Sequence, residues 1–585
     1  MMELLSGNEA IARGAYEADV KFAAGYPGTP STEILENISK YYSKDIYAQW
    51  SPNEKVALEV GIGAAFAGVR TLVTMKHVGL NVASDPLFTL AYTGLNSGLV
   101  IVSADDPELH SSQNEQDNRH YAIAAKVPIL EPADSQECKD FLIEAYKISE
   151  RFDTPIIFRT TTRVAHSKSV VVFNQEKEQK QINYFKKNKS KFVMIPAYAR
   201  IRHKILEEKI KAIEKFNSEE NNLNKIEYKD YNIGVITSGI SYQYVKEVFP
   251  SASILKLSMI YPFPKNLVLE FASRIKQIYV IEELDRIIEN FVKLLGINVI
   301  SKSDDLLLGE LTPLRIRKDF LKEINEDKKE EKINLPSRPP VLCAGCPHRP
   351  VFYILKKLKV NVSGDIGCYT LGTLPPLEAL DTCICMGASI GVANGMQKVK
   401  SNLKDNNIVD TVAVIGDSTF IHSGITGLVD IIYNNSPTLV LILDNNTTAM
   451  TGHQEHPGTG STLNGCPAAQ LSYKDLAKAI GIKNVSEINP FNIKELEERI
   501  KEYLNKKEPA LIITKSPCVL ITKKRNYKEI KFISEKCKGC KICLTCGCPA
   551  LSFDDINNKI IKTDLLCNKC GLCTNLCKFE ALICE

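Results

Sequence analysis

Ten of the 18 cysteines stand in the last 49 residues of this 585-residue chain. Two runs repeat the spacing Cys-x-x-Cys-x-x-Cys, and a further cysteine follows each run. Paired runs of this kind are typical of a small domain that binds two iron–sulfur clusters, in which the last cysteine of each run ligates the other cluster. The spacing predicts Cys537, Cys540, Cys543 and Cys577 as the ligands of one cluster, and Cys548, Cys567, Cys570 and Cys573 as those of the second.

The first run departs from the usual spacing at its end. Four residues separate Cys543 from Cys548, and Cys546 lies between them. Pro549 after Cys548 favours Cys548 as the ligand, but Cys546 stays open as the alternative. Another interpretation of the tail is a pair of zinc knuckles, because zinc also takes closely spaced cysteines.

A second group of polar residues follows two apolar strands. "TVAVIGDS" ends in Gly416-Asp417-Ser418, and "TLVLILDNN" brings Asn445 28 positions after Asp417. The carboxyl ends of parallel strands meet at one sheet edge, where open α/β folds bind ligands. Oxygen ligands suit Mg²⁺, and a glycine before a helix N-terminus suits phosphate. The pattern predicts Asp417, Asn445 and Thr447 as metal ligands, with Gly416 and Ser418 beside a diphosphate. Asp and Asn are also common turn residues at strand ends.

GDS followed by NN resembles the motif that binds thiamine diphosphate and Mg²⁺. Enzymes that use this cofactor need a glutamate to protonate its aminopyrimidine. Glu54, in "WSPNEKVALEVG", precedes an Ala/Gly-rich helix and a strand, and is predicted to bind the cofactor and act catalytically. Glu59 is the alternative, and an acid that merely begins a helix is the simpler interpretation.

The elements that must position these residues alternate between apolar strands and helical stretches, which predicts an α/β fold with several parallel sheets. A small α+β ferredoxin domain ends the chain. The predicted organisation is a thiamine pyrimidine-binding-type domain (1–175), a charged connector with a helix (176–230), a middle α/β domain (231–322), a linker (323–340), a thiamine diphosphate/Mg²⁺ domain (341–522) and the two-cluster ferredoxin domain (532–585).

Composition narrows the function classes. The net charge of +4 is too small to indicate nucleic acid or a membrane surface as a partner. The N-terminus lacks a signal pattern, and apolar runs stay below the ~20 residues that span a bilayer. We therefore expect a cytoplasmic protein, and exposed clusters suggest an anaerobic host.

Several stretches occur in an order that resembles one known family. They are "GYPGTPSTEI", "NEKVALE", "MKHVGLNVASDPL", "HSSQNEQDNR", "LCAGCPHRP", "GDIGCYTLG" and "MGASIGVANGM", followed by the ferredoxin tail. Together they cover nearly the whole chain, which resembles the alpha subunits of indolepyruvate ferredoxin oxidoreductases, a branch of the 2-oxoacid:ferredoxin oxidoreductases. The resemblance implies that an arylpyruvate, CoA and oxidised ferredoxin give an aryl-acetyl-CoA, CO₂ and reduced ferredoxin. It also implies a smaller beta subunit and a hetero-oligomer with two alpha subunits.

The resemblance further implies a substrate contact. In the wider superfamily the threonine of "YPGTP" lies near the substrate carbonyl, so Thr29 is a catalytic candidate; a rigid proline turn is the alternative. Relatives that take pyruvate use an arginine for its carboxylate, and "SADDPELHSSQNEQ" offers none in the matching region. The residues that could replace it are His77, His110, Ser112 and Gln113.

A third cluster close to thiamine is implied by the same resemblance. The superfamily pattern maps it onto Cys343, Cys346, Cys368 and Cys518. Buried thiols that only pack, or zinc held by His348 and two thiolates, are the alternatives.

Three other functions stay open at this stage. The chain could be a non-oxidative decarboxylase of aryl-2-oxo acids, a ferredoxin oxidoreductase for another 2-oxo acid, or an electron-transfer subunit whose α/β domains serve as a scaffold.

Overall fold

The computed structural model describes residues 1–322, 339–403, 407–522 and 529–584. The chain divides into two compact units, Met1–Ile333 and Asn334–Glu585. The predicted linker 323–340 lies outside the described residues from 323 to 338.

The first unit is built from alternating strands and helices. Its strands are β1 (Met2–Ser6), β2 (Phe22–Gly25), β3 (Tyr47–Trp50), β4 (Thr71–Lys76), β5 (Leu99–Asp105), β6 (Ile129–Leu130), β7 (Ile156–Thr161), β8 (Lys168–Val172), β9 (Lys225–Glu227), β10 (Asp230–Ser238), β11 (Ala252–Leu257), β12 (Met259–Tyr261), β13 (Gln277–Ile281) and β14 (Val299–Ile300). Its helices are α1 (Gly7–Glu17), α2 (Thr32–Tyr42), α3 (Glu54–Ala67), α4 (His77–Val82), α5 (Ser84–Thr93), α6 (Arg119–Ala125), α7 (Ser135–Phe152), α8 (Thr162–His166), α9 (Lys189–Phe192), α10 (Pro196–Glu219), α11 (Ser241–Val248), α12 (Lys265–Ser273), α13 (Ile287–Leu294) and α14 (Pro313–Ile316).

Two sheets organise this unit. The larger has the strand order β12-β6-β7-β5-β4-β2-β3 and is parallel except at β12. The smaller has the order β14-β13-β10-β11-β9 and is parallel except at β9. Strand β12 comes from the segment of the smaller sheet but pairs with the larger one. One continuous apolar core, which includes Leu80, Ile236 and Phe271, joins the two sheets.

The second unit contains one large sheet. Its strands are β15 (Asn361–Gly364), β16 (Thr382–Cys383), β17 (Thr411–Gly416), β18 (Leu439–Asp444), β19 (Asn484–Ile488), β20 (Ala510–Lys515), β21 (Ile530–Phe532), β22 (Leu551–Asp554), β23 (Lys559–Lys562) and β24 (Leu582–Cys584). Its helices are α15 (His348–Leu358), α16 (Ala388–Leu403), α17 (Asp417–Thr419), α18 (Ile425–Tyr433), α19 (Tyr473–Ile480), α20 (Ile493–Lys506) and α21 (Leu572–Leu576).

The large sheet of this unit is parallel throughout, in the order β16-β15-β17-β18-β20-β19. The side chains of β17 alternate between two apolar cores, one on each face of the sheet. Val412 and Val414 pack on one face, and Ala413 and Ile415 pack on the other. A strand buried on both faces reads as a continuous apolar run, which is why "TVAVIG" is recognisable in the sequence.

The tail forms two short antiparallel pairs, β21 with β24 and β22 with β23, around the cysteine runs. The predicted fold class, parallel α/β sheets followed by a small α+β domain, is confirmed. Within the described residues no helix is both long and apolar enough to span a membrane.

Candidate active site and cluster sites

The predicted metal–diphosphate residues meet at the carboxyl edge of the large sheet of the second unit. Strands β17 and β18 pair in parallel, with Gly416 opposite Leu443, so that Asp417 and Asp444 leave the sheet side by side. Helix α17 begins at Asp417 and is continued by a π-helical turn, Phe420–Gly424. A β-carbon at Gly416 would come within 2.7 Å of the Tyr369 ring, so only glycine fits there.

The ligand atoms at this edge are buried. Asn445 Oδ1 accepts from the backbone N–H of Thr447 (3.3 Å), and Asp417 Oδ1 accepts from that of Ser418 (2.8 Å). Asp417, Ser418, Asn445 and Thr447 are all buried. Hard oxygen donors therefore stand together here in the number that Mg²⁺ takes when phosphate oxygens and water complete its shell.

Several buried polar atoms around this edge have no hydrogen-bond partner within the described residues. They are Asp417 Oδ2, His456 Nε2, Tyr473 Oη and Thr448 Oγ1. His456 Nε2 lies 3.4 Å from Asp417 Oδ2. Buried polar groups are normally satisfied, because an unsatisfied one costs about 1–3 kcal/mol. The orphaned atoms and the oxygen donors fit a bound Mg²⁺–diphosphate group.

Crowded charge at this edge also needs a cation. Burial and the neighbouring Asp417 carboxylate together raise the pKa of Asp444 to about 6. His348 lies close to Asp417, but burial lowers the pKa of His348 to about 4 and keeps the imidazole neutral. Lys515 offsets this charge only in part, since the pKa of Asp444 stays raised, and a divalent cation would offset the remainder.

The four cysteines of the implied third cluster gather in the same unit. Burial, with smaller contributions from neighbouring Cys343 and Cys368, raises the pKa of Cys346 to about 12. Burial raises the pKa of Cys368 to about 11, with Cys518 and Cys343 as the neighbours that contribute. The four thiols thus share one neighbourhood although they span 176 positions of the sequence (343 to 518).

Direct bonds link this cysteine group to the metal–diphosphate edge. The backbone N–H of Cys518 donates to the carbonyl of Asn445 (2.9 Å). The backbone N–H of His348 interacts with the Cys346 thiol, and the His348 side chain lies beside Asp417. The imidazole of His348 also packs edge-on against Tyr369, with ring centroids 5.9 Å apart.

In the tail, each predicted ligand set lines a cavity of its own. Cys537, Cys540, Cys543 and Cys577 line the first. The second is lined by Cys548, Cys567, Cys570 and Cys573, and also by Cys546. Cys546 is fully buried, and its thiol donates to the carbonyl of Cys543 (3.1 Å). Cys546 and Cys548, the two candidates for the fourth cysteine of the first run, therefore line the same cavity.

The cysteine groups are wider than zinc sites. Tetrahedral zinc with Zn–S bonds near 2.3 Å sets its sulfurs about 3.8 Å apart. Across the described residues, only Glu108, His110 and Glu310 form a trio of His, Cys, Asp or Glu ligand atoms within 4.8 Å of one another. Among the described residues, no cysteine group, with or without His348, therefore brings three ligand atoms within the spacing of a zinc site.

One buried arginine connects two of the cysteine loops. Arg349 Nε donates to the carbonyl of Cys343 (2.8 Å), and its Nη1 donates to the carbonyls of Cys546 (3.1 Å) and Gly547 (2.5 Å). The loop of Cys343 also receives a hydrogen bond from the Asn568 amide to the carbonyl of Ala344 (2.5 Å). The tail therefore docks directly on the first cysteine pair of the α/β domain.

In the first unit, the structure separates the two glutamates considered for the aminopyrimidine. Glu54 is buried at the first position of α3, where Asn53 caps the helix by accepting from the backbone N–H of Val56 (2.9 Å). Glu59 is exposed and forms an ion pair with Lys55. Of the two, Glu54 has the sheltered position that a cofactor contact requires.

Thr29 and its proline turn lie at the edge that Glu54 also faces. The hydroxyl of Ser111 donates to the carbonyl of Thr29 (3.3 Å), which ties the turn to the loop after β5. A β-carbon on Gly79, in α4, would lie 2.6 Å from Glu54 Cγ, so Glu54 packs on the first turns of that helix. Strands β2 and β4 are neighbours, which is why the loops that follow them meet.

The four side chains considered as replacements for arginine have different surroundings. His77 is buried, with Nε2 3.2 Å from the carbonyl of Asn114, and burial lowers its pKa to about 4. Ser112 donates to Asp106 (2.5 Å). His110 is exposed and lies 4.0 Å from Glu310, and Gln113 is exposed.

Sequence reasoning missed three residues of these sites. Lys76 ends β4 and is buried, which its residue type does not indicate, because a lysine after a strand is ordinarily exposed. Asp444 and Tyr473 flank Asp417, and only tertiary packing brings Tyr473 to it. The Asp of "LDNN" could have been recognised, since it directly precedes Asn445 at the same strand end.

Two protein-family models match the chain. "Pyruvate flavodoxin/ferredoxin oxidoreductase, thiamine diP-bdg" covers residues 13–230, and "Thiamine pyrophosphate enzyme, C-terminal TPP binding domain" covers residues 365–514. Both matched ranges contain the predicted residues, Glu54 in the first and Asp417 in the second.

Curated relatives match over nearly their whole length. The chain is 39% identical to indolepyruvate oxidoreductase subunit IorA of Archaeoglobus fulgidus, over 99% of this chain and 97% of that protein. It is 40% identical to the subunit of the same name from Pyrococcus abyssi, over 99% of this chain and 96% of that protein. A solved 2-oxoglutarate:ferredoxin oxidoreductase from Magnetococcus marinus aligns with 54% of this chain and 64% of that one, at 16% identity and a TM-score of 0.46.

Proposed function

We propose a function from one premise: the chain belongs to the family of indolepyruvate oxidoreductase subunits named IorA. The chain catalyses oxidative decarboxylation of arylpyruvates, with indolepyruvate as the representative substrate. The arylpyruvate and CoA give the aryl-acetyl-CoA thioester, CO₂ and one proton, and two electrons pass one at a time to two oxidised ferredoxins. Thiamine diphosphate, when bound, supplies the electron sink for loss of CO₂.

Each group of residues has one task in this proposal. Asp417, Asn445 and Thr447 hold Mg²⁺, which neutralises the diphosphate, while Gly416 and Ser418 lie beside it. The buried Glu54 carboxyl exchanges a proton with the aminopyrimidine of the cofactor.

Thr29 contacts the reacting carbonyl of the substrate. Its turn is held by Ser111, whose hydroxyl donates to the Thr29 carbonyl. The peptide between Thr29 and Pro30 is cis, so the chain reverses within the turn.

The cysteines form a path for the electrons. Cys343, Cys346, Cys368 and Cys518 hold one [4Fe–4S] cluster, and the two cysteine sets of the tail hold two more. The observation that carries the proposal is the direct connection of the first group to the metal–diphosphate edge, through the hydrogen bond from Cys518 to the Asn445 carbonyl. A plain decarboxylase would have no use for a group of four cysteines whose backbone is hydrogen-bonded to the cofactor edge.

Partners follow from the same chemistry. The relatives are named as subunits, and we expect a smaller beta subunit in a hetero-oligomer that contains two copies of this chain. Ferredoxin accepts the electrons, and CoA accepts the acyl group.

The proposal is tested by anaerobic purification of the chain, followed by measurement of iron, sulfide and thiamine diphosphate per chain. Three [4Fe–4S] clusters correspond to about twelve irons, and one thiamine is expected beside them. With the beta subunit present, indolepyruvate should reduce ferredoxin only when CoA is added. An aldehyde product without ferredoxin reduction would favour the non-oxidative decarboxylase, and clusters without thiamine in a cofactor-saturated sample would overturn the catalytic proposal.

A further inference from the structure

We propose that Lys76 binds the carboxylate of the 2-oxo acid and so fulfils the task that an arginine performs in relatives that take pyruvate. This inference rests on the proposed function and adds to it the residue that selects an acid over a neutral ketone.

Lys76 stands at the edge where the substrate turn lies. It is the last residue of β4, and a β-carbon on Gly28 would lie 3.0 Å from Lys76 Cβ, so the turn that carries Thr29 touches the lysine stem. Lys76 Nζ donates to the carbonyl of Ser111 (2.6 Å), and the Ser111 hydroxyl donates to the carbonyl of Thr29 (3.3 Å). The ammonium and the turn are therefore held by the same serine.

The aminopyrimidine glutamate faces the same edge. Helix α4 begins at His77, directly after Lys76, and Gly79 in this helix contacts Glu54. A substrate whose carbonyl is held near Thr29 and whose reaction depends on Glu54 would have its carboxylate within reach of this helix start.

The charge of Lys76 is poorly compensated by the protein. The nearest carboxylate oxygen, Asp106 Oδ2, is 4.0 Å from Nζ. Asp106 is already occupied by hydrogen bonds from the backbone N–H of Ser111 (2.8 Å) and the hydroxyls of Ser112 (2.5 Å) and Thr162 (2.7 Å). An ammonium that is only 8% exposed and lacks a close counter-ion is costly. A bound carboxylate would supply the missing charge.

The loop after β5 offers no competing lysine or arginine. Residues 103–116, which form the end of β5 and the loop after it, contain neither Lys nor Arg. His77 is neutral, because burial and the nearby Lys76 lower its pKa to about 4. Burial also lowers the pKa of Lys76 to about 8. A bound anion would favour the charged form and raise this pKa again.

The test compares three variants of the full chain in its complex with the beta subunit. K76M keeps the length of the side chain without its charge, and K76R restores a charge. K209M is the matched control, since Lys209 is a second mostly buried lysine with a pKa lowered by burial to about 8, in α10, where it donates to the carbonyl of Asp153. The probes are 3-phenylpropionate, which has a carboxylate but no oxo group, and the neutral amide 3-phenylpropanamide, both measured by anaerobic calorimetry.

We expect K76M to lose the preference for the acid over the amide that the parent shows. A charge-assisted hydrogen bond is worth about 1.5–3 kcal/mol, so K76M should bind the acid about tenfold or more weakly while its affinity for the amide is unchanged. K76R should recover most of the acid affinity, and K209M should match the parent. With indolepyruvate, K76M should raise KM far more than it lowers kcat.

The pH dependence separates binding by the ammonium from a structural role. Acid affinity of the parent should fall as pH rises from 7 to 9.5, because Lys76 loses its proton in this range, whereas K76R should stay level. Three other titratable groups lie nearby. His77 is already neutral, hydrogen bonds from Ser112, Ser111 and Thr162 lower the pKa of Asp106 despite its burial, and the hydrogen bond with Glu33 raises the pKa of His166, which also interacts with Asp106. K76R keeps all three groups, so only a slope that the parent shows and K76R lacks belongs to Lys76.

Two failures are distinguishable. If the parent complex does not turn over any arylpyruvate, the proposed function is wrong. If the parent turns over but K76M keeps its preference for the acid, or the parent binds acid and amide equally, the assignment of Lys76 is wrong. Should K76M fail to fold, the pH profiles decide: a sloping parent beside a level K76R supports the assignment of Lys76, and equal profiles of the two overturn it.

Discussion

At the scale of single residues, Asp417 is a buried side chain that the surrounding protein satisfies only in part, since its Oδ1 accepts from the backbone N–H of Ser418 and His456 Nε2 lies 3.4 Å from its Oδ2. Its Oδ2 has no hydrogen-bond partner among the described residues, and Asp444 crowds it. The variant D417N keeps the shape and removes the charge. We expect its unfolding temperature without cofactor to be no lower than that of the parent. Addition of Mg²⁺ and thiamine diphosphate at a hundredfold excess over Kd should stabilise the parent by about 2.7 kcal/mol and D417N not at all.

Calorimetry with and without the cofactor measures both effects, and D430N is the control. Asp430 lies in α18 of the same domain, where it accepts from the amides of Asn394 (2.6 Å) and Asn434 (2.8 Å). D430N should therefore retain cofactor stabilisation. Normal stabilisation of D417N by the cofactor would show that Asp417 is not a metal ligand.

Whether Cys546 or Cys548 is the fourth ligand decides which serine substitution removes iron from the tail. A backbone N–H approaches each of the two sulfurs, that of Cys548 at Cys546 and that of Ala550 at Cys548. The Cys546 thiol, however, is already bonded to the carbonyl of Cys543, and Pro549 after Cys548 is typical of the ligand position. We expect C548S to lose about four irons and C546S to keep them. Iron analysis and low-temperature EPR of the reduced proteins distinguish the two. Loss of iron from C546S alone would reverse the assignment.

At the scale of elements, the position of Glu54 depends on a glycine in the neighbouring helix. A β-carbon on Gly79 would lie 2.6 Å from Glu54 Cγ. Gly→Ala within a helix ordinarily adds about 0.5–1 kcal/mol of stability. We expect G79A to fold but to displace the Glu54 carboxyl, so that turnover falls by about tenfold or more while cofactor binding to the Asp417 domain persists.

Helix α3 offers a matched control for this variant. A β-carbon on Gly63 meets nothing within 4 Å, so G63A should gain helix stability without a change in turnover. Unfolding and steady-state assays of the two variants test the idea. Equal turnover of G79A and G63A would mean that the position of Glu54 does not control the reaction.

Elements differ in how well the sequence predicts them. Strands β17 and β18 are buried on both faces, so their apolar runs and the polar residues at their ends are visible without a structure. Strand β12 cannot be recognised in this way. It is a three-residue strand from the middle α/β segment, and it pairs with β6 of the larger sheet. Its pairing depends on tertiary contact and leaves no periodic trace in the sequence.

Candidate site residues also differ in whether the sequence alone indicates them. Glu54 and Asp417 could be proposed from the sequence because a local motif surrounds each of them. Lys76 could not, because its partners Ser111 and Asp106 come from a loop 30 and more positions away. The proximity of His348 to Asp417 likewise depends on the fold of the whole domain and on no spacing in the sequence.

At the scale of the whole molecule, hydrogen bonds join the cysteine-rich tail to the loop of Cys343, so electrons could pass from that loop to the tail. Arg349 joins the loop of Cys343 to the loop of Cys546 and Gly547, and Asn568 adds a second bond to Ala344. The cysteine group next to the metal–diphosphate edge is thus also next to the tail. A cluster at that group would be an obligatory intermediate between the cofactor and ferredoxin.

The variant C368S tests this route. It removes one predicted ligand of the middle cluster and leaves the tail cysteines and the metal ligands intact. We expect the iron content to fall from about twelve to about eight per chain, with thiamine binding retained. Dithionite should still bleach the tail clusters, since they are reached from solvent, but indolepyruvate with CoA should no longer do so. C383S is the control, because Cys383 is an exposed thiol 3.6 Å from the carbonyl of Asp365 in the same domain. If substrate still reduced the tail clusters of C368S at the parental rate, electrons would not pass through Cys368 and its neighbours, and the tail would have to receive them by another path.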